Sequence, residues 1–472
     1  MTNQKVKIIA RTVERPVDSD IKDNVSFKPD DMRNEAVILS GKAAGVCYMA
    51  DDYLSNGIQN EEIALKRAMF NSKSGHHSVY DHAHFTFEIQ TSKAMAMVLN
   101  STKLYSTSEK SGRYTSMTPE TEIEKKLYDK WFNRISETIK ETMPGEYTDK
   151  EIEKIALENA RYMLSVFTPT VLIFSIPFTR VILMCEWLDR LSNSINEMLQ
   201  KGLINKDKIT NYNYFLRIST EANDLADKFR ETLNMEKTAP ILKDHKDIGI
   251  GFYEKISTYE RYKLIKDELL LDFDGTWYED YSKKFTNVDI NHDMYYIDSI
   301  YSFACLAQEQ RHRTIDYTVV NIAENFFYIP EILSDKDNIE WYNDLQYLVH
   351  YNGIVPQACK LYVRERGLFD NFYLKCKERM CMRAQEEIRN ETKSKALCMY
   401  YATINDKYFS MLSPLNKARL HSMINKDQDS KEFGLCNLRC RWKCYKCNEP
   451  CKHSHLFYKT PKSLRKSESS DK

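Results

Sequence analysis

The sequence predicts an α+β fold made of two related α/β units in one chain, rich in helices and followed by a small cysteine-rich segment. Apolar and polar residues alternate over residues 84–90, as in a half-buried strand, and a helix-like segment follows. The same extended-then-helical succession returns over residues 295–310, and five cysteines cluster within residues 436–451.

Composition supports large folded cores. Of 472 residues, 42% are hydrophobic, while glycine (13) and proline (12) are scarce, which excludes collagen-like, disordered and loop-rich disulfide classes. Lys plus Arg and Asp plus Glu each total 68, so the net charge is zero and gives no general attraction to nucleic acid or anionic membranes. The length suits about three domains, and the repeat favours two.

We expect a cytoplasmic protein without a membrane span. The first residues, Met1–Lys5, lack the basic and apolar regions of a signal peptide. The uncharged stretch 162–179 approaches the length of a span, but Pro169 and Pro177 interrupt it. We therefore interpret it as a buried helix-loop-helix segment.

The other elements follow from the same periodicities. A strand is predicted at residues 5–10, and helices are predicted at residues 61–70, 93–99, 122–141, 150–164, 183–199, 298–310, 337–348 and 370–389.

These elements divide the chain into five regions. The sequence predicts a first unit (1–208), a junction (209–285), a second unit (286–430), a Cys/His-rich segment (431–458) and a disordered tail (459–472).

Three segments carry groups suited to a phosphorylated ligand. Residues 109–114 read Glu-Lys-Ser-Gly-Arg-Tyr, residues 308–313 read Gln-Glu-Gln-Arg-His-Arg, and residues 384–389, after Arg379, read Ala-Gln-Glu-Glu-Ile-Arg. Guanidinium groups bind phosphate bidentately, and a Ser-Gly turn offers a hydroxyl and a backbone N–H. Alternatively, each segment is a solvated charge cluster.

Together the segments resemble the flavin-dependent thymidylate synthases (ThyX), whose signature reads RHRxxSxNExSxRY and whose later segments read AR-x-x-L-P and R-x-x-x-x-A-Q-x-E-I. The resemblance occurs twice. The first copy matches at His76, Ser78, His82, Ser106, Glu109, Ser111, Arg113, Tyr114, Arg161 and Leu164. The second copy matches at His292, Gln308, Arg311, His312, Arg313, Pro356, Arg379, Ala384, Gln385, Glu387 and Ile388.

Each copy is altered where the other is intact. Residues 101–103 of the first copy replace Arg-His-Arg, and Leu188 stands where the second copy has Arg379. In the second copy, Asn352 replaces the arginine that corresponds to Arg161. Family members are homotetramers with shared active sites. The chain therefore resembles a tandem duplication, a fused pseudo-dimer that keeps only sites formed by unlike halves.

The resemblance implies transfer of a one-carbon unit from methylenetetrahydrofolate to C5 of dUMP, with reduced FAD as hydride donor, NADPH as reductant, and a homodimer that forms a pseudo-tetramer. The alternatives are another pyrimidine-nucleotide C5-modifying enzyme, for example one that hydroxymethylates, and a non-catalytic nucleotide-binding or regulatory paralogue.

The resemblance also implies site residues. Arg379 is the catalytic candidate, because a fixed cation at the pyrimidine favours the N3-deprotonated form. The predicted dUMP site comprises Glu109, Lys110, Ser111, Gly112, Arg113, Arg161, Gln308, Arg311 and Arg379. The predicted FAD site comprises His76, Ser78, Glu109, Arg311, His312 and Arg313. The family's N-x-R flavin contact is replaced by residues 177–179 and 368–370, so we expect weakened FAD binding.

The cysteine cluster suits a tetrahedral structural zinc site, since zinc favours four sulfur or nitrogen ligands and a short segment cannot bury a core alone. The expected ligands are Cys440, Cys444, Cys447 and Cys451. Reduced free cysteines or an iron–sulfur cluster are the alternatives. Nearby Lys, Arg, Trp442 and Tyr445 could contact nucleic acid, although we favour a structural clip.

Overall fold

The computed structural model describes residues 4–12, 29–48, 53–74, 76–102, 105–113, 115–233, 288–291, 293–380, 384–404, 412–417 and 419. The chain divides into two compact units, neither of them continuous in sequence. Unit 1 combines residues 1–110, 169–205 and 214–259, and unit 2 combines residues 111–168, 206–213 and 260–472. The compact units do not coincide with the sequence units expected above, because residues 111–168 cluster with the later chain. The division into sequence units stays a prediction.

The described residues form many helices and two antiparallel sheets, which confirms a helix-rich α+β fold. The strands are β1 Lys5–Arg11, β2 His84–Ser92, β3 Ser106–Glu109, β4 Pro169–Pro177, β5 Val288–Asn291, β6 Met294–Ser302, β7 Asp316–Phe327 and β8 Cys359–Leu368. The helices are α1 Pro29–Tyr48, α2 Asn56–Gln59, α3 Glu61–Ser74, α4 Lys93–Ser101, α5 Glu122–Thr142, α6 Asp149–Ala160, α7 Phe178–Gln200, α8 Ile209–Leu233, α9 Phe303–Glu309, α10 Asp335–Asn352, α11 Phe369–Arg379 and α12 Glu386–Ile404.

Unit 1 contains an antiparallel sheet of order β1-β2-β4-β3. Strand β2 buries Phe85, Phe87 and Ile89 on one face, as its alternation predicts. Helix α4 begins directly after β2, where the Ser92 hydroxyl accepts a hydrogen bond from the Met95 N–H at 3.1 Å. The strand and helix predicted here are confirmed.

Unit 2 contains a sheet of the same relative order, β5-β6-β8-β7. The Ser302 hydroxyl caps α9 by accepting from the Cys305 N–H at 3.1 Å. Strand β6 therefore extends to Ser302, and the helix predicted from residue 298 begins only at Phe303. The capping serine ends the strand and starts the helix, a boundary that the apolar pattern alone does not locate.

Two further expectations were wrong. The segment predicted as a buried helix-loop-helix is largely strand β4, in which Leu172, Phe174 and Ile176 are buried and intervening side chains are more exposed. The single helix predicted over residues 370–389 is two helices, since α11 ends at Arg379 and the Gln385 side chain accepts from the Ile388 N–H at 3.4 Å at the start of α12. None of the helices that the structure describes has the apolar length of a membrane span.

Helices α5 and α10 of unit 2 are linked by two buried tryptophans. The ring centroids of Trp131 and Trp341 lie 5.0 Å apart at an interplanar angle of 73°. The Trp131 indole N–H donates to the Asp344 carboxylate at 2.8 Å, and that of Trp341 donates to the Tyr328 carbonyl at 2.9 Å. Both indoles thus combine edge-to-face packing with a satisfied polar atom.

Trp131→Ala should destabilise unit 2 by about 3–5 kcal/mol, because it leaves a cavity beside Trp341 and removes the hydrogen bond to Asp344. Urea denaturation followed by circular dichroism measures the change. Tyr351→Ala, at a position that is 81% exposed in the same unit, is the control and should change stability by less than about 0.5 kcal/mol. Similar losses in the two variants would contradict this account of the core.

Candidate active site

A tight turn after α9 presents the Gln308–Arg313 segment. The Arg311 N–H donates to the Gln308 carbonyl at 3.3 Å, and the His312 N–H donates to the Glu309 carbonyl at 3.0 Å. The turn leaves Arg311 and Arg313 exposed, while Gln308 is half-buried. The Gln308 amide donates to the Gln385 side-chain oxygen at 3.3 Å, and its own Oε1 is buried without a hydrogen-bond partner.

Arg379, at the end of α11, reaches back to this turn. Its Nε donates to His312 Nε2 at 2.7 Å, and its Nη2 donates to the Gln308 carbonyl at 3.1 Å. Burial lowers the pKa of Arg379, and the nearby Arg113 charge lowers it further. An arginine nevertheless stays protonated in proteins, so the two contacts hold a fixed cation beside Gln308.

His312 is a neutral hydrogen-bond acceptor in this arrangement. Burial, followed by the charges of Arg379 and Lys375, holds the pKa of His312 well below its usual range. The Nε2 lone pair accepts from Arg379, so a proton on that atom would disrupt the contact. The resemblance implies that His312 binds flavin phosphate, whereas the structure gives its Nε2 a partner within the chain.

A second turn, in residues 111–113, adjoins helix α6. The Arg113 N–H donates to the Ser111 hydroxyl at 3.3 Å, and the Arg113 Nε forms an ion pair with Glu158. A Cβ at Gly112 would lie 2.6 Å from the Met117 sulfur, so a larger residue would displace Met117. The close approach of backbone and Met117 explains the glycine.

Arg161 follows α6 and is almost completely buried. Its Nε donates to the Glu158 carbonyl at 3.1 Å, and its guanidinium lies 5.7 Å from the centroid of the Tyr162 ring. The Nη2 atom is buried and has no hydrogen-bond partner in the structure. A buried guanidinium nitrogen without an acceptor is costly and suits an anionic ligand.

Tyr162 joins the Arg161 segment to the start of α12. Its hydroxyl donates to the Glu387 carboxylate at 2.7 Å and accepts from the Gln385 amide at 2.6 Å. Glu387 also accepts from the Ser302 N–H at 2.8 Å, and burial raises its pKa. The family motif includes Gln385 and Glu387 without a role for either, and it gives no signal for Tyr162, although that residue directly follows Arg161.

A backbone pairing places these segments in register. The Ala358 N–H donates to the Tyr162 carbonyl at 3.1 Å, the Gln357 N–H donates to the Leu164 carbonyl at 2.7 Å, and the Val166 N–H donates to the Val355 carbonyl at 2.8 Å. Segments nearly 200 residues apart in sequence are thus joined within unit 2. The pairing fixes Arg161 relative to strand β8.

Four predicted site residues lie in unit 1. His76 directly precedes the short 3₁₀ helix His77–His82 and Ser78 lies within it, and both residues are exposed. Glu109 is paired with the Lys93 ammonium at 2.6 Å and accepts from the Thr170 hydroxyl at 3.3 Å. Lys110 is exposed, and its carbonyl accepts from Lys93 at 2.8 Å. The other predicted nucleotide and flavin residues lie in unit 2.

Several predicted positions lie outside the described residues, namely Tyr114, His292 and the zinc candidates Cys440, Cys444, Cys447 and Cys451. Within the described ranges, no group of His, Cys, Asp and Glu side chains has the arrangement of a metal site. The zinc site therefore stays a prediction. Cys185, Cys305, Cys359 and Cys376 are buried, and burial raises the pKa of each thiol, which makes them poor nucleophiles.

Residues 31–189 match the family model described as thymidylate synthase complementing protein, Thy1. These residues belong to the ThyX family. The match includes the predicted site residues from His76 to Arg161, and Gln308 and all later site residues lie beyond it.

Two solved structures illustrate the similarity of the chain to known proteins. ThyX from Helicobacter pylori with FAD and dUMP is 18% identical, with coverage of 51% of this chain and 99% of that chain and a TM-score of 0.26. A UMP/dUMP methylase, PolB from Streptomyces cacaoi bound with 5-Br dUMP, is 15% identical. The match covers 39% of this chain and 76% of that chain, with a TM-score of 0.24. No curated protein matches the sequence.

Protonation of His312 should destabilise unit 2, because the added proton would face the Arg379 Nε–H. The pKa of His312 in the folded state is below its unfolded value of about 6.5. The stability that the neutral imidazole contributes is therefore fully present above about pH 6.5 and is lost as the pH falls towards the folded-state pKa. His312→Gln keeps an acceptor that does not titrate. Between about pH 6.5 and 4, the unfolding free energy of this variant should depend less on pH than that of the unaltered protein. The two slopes should differ by up to about 1.4 kcal/mol per pH unit. Urea denaturation at successive pH values measures both slopes, and equal slopes would contradict the assignment.

Proposed function

We propose that the chain binds dUMP in unit 2 and modifies C5 of the pyrimidine as the ThyX-family resemblance implies. The reaction is transfer of a one-carbon unit from methylenetetrahydrofolate, with reduced FAD as the hydride donor and NADPH as the reductant. Family membership of residues 31–189 supports this proposal, and the side-chain arrangement in unit 2 supports the location of the nucleotide site.

The supporting observation is a continuous chain of contacts among residues from the two sequence copies. Arg379 donates to Gln308, Gln308 to Gln385, and Gln385 to the Tyr162 hydroxyl. Arg161, which precedes Tyr162 in the sequence, donates to the Glu158 carbonyl. The Glu158 carboxylate in turn pairs with Arg113. Two buried polar atoms along this chain, Arg161 Nη2 and Gln308 Oε1, lack partners and can serve a ligand.

The charges suggest which part of the nucleotide each residue binds. Arg113, Arg161 and Arg311 supply guanidinium groups for the phosphate, with the Ser111–Gly112 turn beside them. Gln308 has an amide that can recognise the pyrimidine edge. Arg379 is a buried cation held by Gln308 and His312, and we assign it the stabilisation of negative charge that develops on the pyrimidine.

Arg311 and Arg313 suit the phosphates of FAD, because both residues are exposed on one short turn and carry guanidinium groups. His76, Ser78 and Glu109 are the remaining proposed FAD residues. When bound, the reduced flavin supplies the hydride. Asp370, whose charge could repel flavin phosphates, forms an ion pair with Arg419, which offsets that charge.

The proposed tandem duplication is supported by the equal strand order of the two sheets. In each sheet the second strand of that order ends in a serine, Ser92 or Ser302, and this serine caps the helix that follows. A homodimer that forms a pseudo-tetramer, and a structural zinc near the carboxyl end, complete the proposal.

Removal of the Arg161 guanidinium tests the nucleotide site. Arg161→Gln should weaken dUMP binding about ten- to hundredfold, because one charge-assisted phosphate contact is worth about 1.5–3 kcal/mol. Isothermal titration calorimetry measures the affinity. Arg134→Gln removes a partly exposed arginine of the same unit that pairs with Asp337, so it controls for loss of a cation and should leave the affinity unchanged. Equal affinities in the two variants would refute the assignment.

FAD binding distinguishes the enzyme from a non-catalytic nucleotide-binding or regulatory protein. Loss of the family's N-x-R contact should weaken FAD binding to the micromolar range, since a lost charged contact costs about 1.5–3 kcal/mol. Asp370→Arg should bind FAD more tightly than the unaltered protein, as measured by flavin fluorescence titration. Binding of dUMP without any binding of FAD would favour the non-catalytic alternative or a flavin-independent reaction.

Product analysis separates the two enzymatic alternatives. The protein is incubated with dUMP, methylenetetrahydrofolate, FAD and NADPH, and the nucleotide is identified by mass spectrometry. Methylated dUMP supports the proposal, and a hydroxymethylated nucleotide supports the related C5-modifying activity. Arg379→Gln is the matched control and should form neither product.

A further inference from the structure

Unit 2 buries four ionised side chains in one cluster, which we call the charge square: Glu309, Glu365, Lys375 and Lys395. All four side chains have zero exposure. Lys375 lies 2.5 Å from Glu309 and 2.9 Å from Glu365, and Lys395 lies 3.0 Å and 2.6 Å from the same carboxylates. Each charge therefore has two partners of opposite sign, and the cluster is neutral as a whole.

Tyrosines complete the hydrogen bonding of the charge square. The Tyr295 hydroxyl donates to Glu365 at 2.7 Å, and the Tyr317 hydroxyl donates to Glu309 at 3.3 Å. The Lys395 ammonium lies 4.6 Å from the centroid of the Tyr301 ring. The two ammonium groups hold the pKa values of both carboxyls below their usual range despite burial. Both carboxyl groups remain ionised.

The members of the charge square belong to the elements that present the proposed pyrimidine site. Glu309 directly follows Gln308 at the end of α9, and Lys375 lies one helical turn before Arg379 on α11. Lys395 is on α12, which begins next to Gln385. Glu365, on β8, connects the two lysines to the sheet.

We propose that the charge square is the positioning element of the pyrimidine site. It fixes α9, α11 and α12 relative to β8, and so sets where Arg379 and Gln308 meet the base. This inference rests on the proposed function. None of the four residues is a catalytic residue, because each acts through Arg379 or Gln308. The proposed phosphate residues Arg113 and Arg161 belong to other segments, the 111–113 turn and the end of α6, and should be less affected.

The distinction between base and phosphate contacts gives a readout that a purely structural role would not change. A cation at the pyrimidine favours deprotonated N3 of uracil, and cytosine has no N3 proton to lose. Displacement of Arg379 and Gln308 should therefore weaken the binding of dUMP more than the binding of dCMP. General loss of stability would lower the affinities for both nucleotides equally.

The test variant is Glu309→Gln combined with Lys375→Met, which keeps the square neutral and leaves the Glu365–Lys395 pair. The control is Lys130→Met combined with Asp344→Asn, which removes another ion pair of unit 2, at 2.5 Å, and also conserves net charge. Calorimetry with dUMP and dCMP is done at a temperature at which thermal unfolding curves show both variants folded. In the test variant, dUMP affinity should fall about ten- to hundredfold, and the dUMP-to-dCMP preference should fall with it. The control should keep the preference of the unaltered protein.

If the test variant does not fold, Lys375→Arg replaces it, because arginine keeps the charge while its longer side chain shifts α11. An unchanged dUMP-to-dCMP preference in either folded variant would overturn the positioning role and leave the proposed function standing. Failure of the unaltered protein to bind dUMP would overturn the proposed function and this inference together.

Discussion

Pairing of four buried charges restricts how the second sheet and its helices can pack. Removal of a charged group from water costs several kcal/mol per ion, and the cost is offset only when partners and hydrogen bonds are all in place. Any alternative packing of α11 or α12 would separate Lys375 or Lys395 from Glu309 and Glu365 and would leave an uncompensated charge in the core. The free energy that an alternative packing would cost exceeds the free energy that the charge square contributes to the observed packing. The square therefore favours a single arrangement of these helices.

That geometry extends outward from the core to the proposed nucleotide site. Arg379 follows Lys375 by one turn and ends beside His312, where a neutral imidazole accepts its Nε–H. On the other side, Gln385 connects Gln308 to the Tyr162 hydroxyl. Each polar group is oriented by the next, so the position of the catalytic candidate also depends on Gln385 and Tyr162, to which no ligand contact is assigned. Burial strengthens every link, and it also makes every missing partner costly.

Sequence patterns predicted the parts of this structure that depend on local periodicity. The alternation of apolar residues in β2 and the amphipathic helices α5 and α10 were predictable, because one buried face imposes a repeat on the sequence. The start of α12 was not predictable in this way. The helical pattern of the sequence continues past Arg379, whereas in the structure a new helix begins where the Gln385 side chain accepts from the Ile388 N–H. Strand β4 was mistaken for helix because a short apolar run has no distinctive period. The charge square has no local signal at all, as Glu309 and Lys395 are brought together only by tertiary packing.

The family resemblance supplied residues that periodicity could not, and the structure shows how the chain packs at positions where the two proposed copies differ. Leu188, at the position that corresponds to Arg379, is completely buried in helix α7 of unit 1. A guanidinium there would need partners in an apolar environment, so an apolar side chain suits this core position. Asn352, at the position that corresponds to Arg161, is exposed at the end of α10. Arg161 and Arg379 both lie in unit 2, which supports the proposal that two incomplete copies together provide the residues of one nucleotide site.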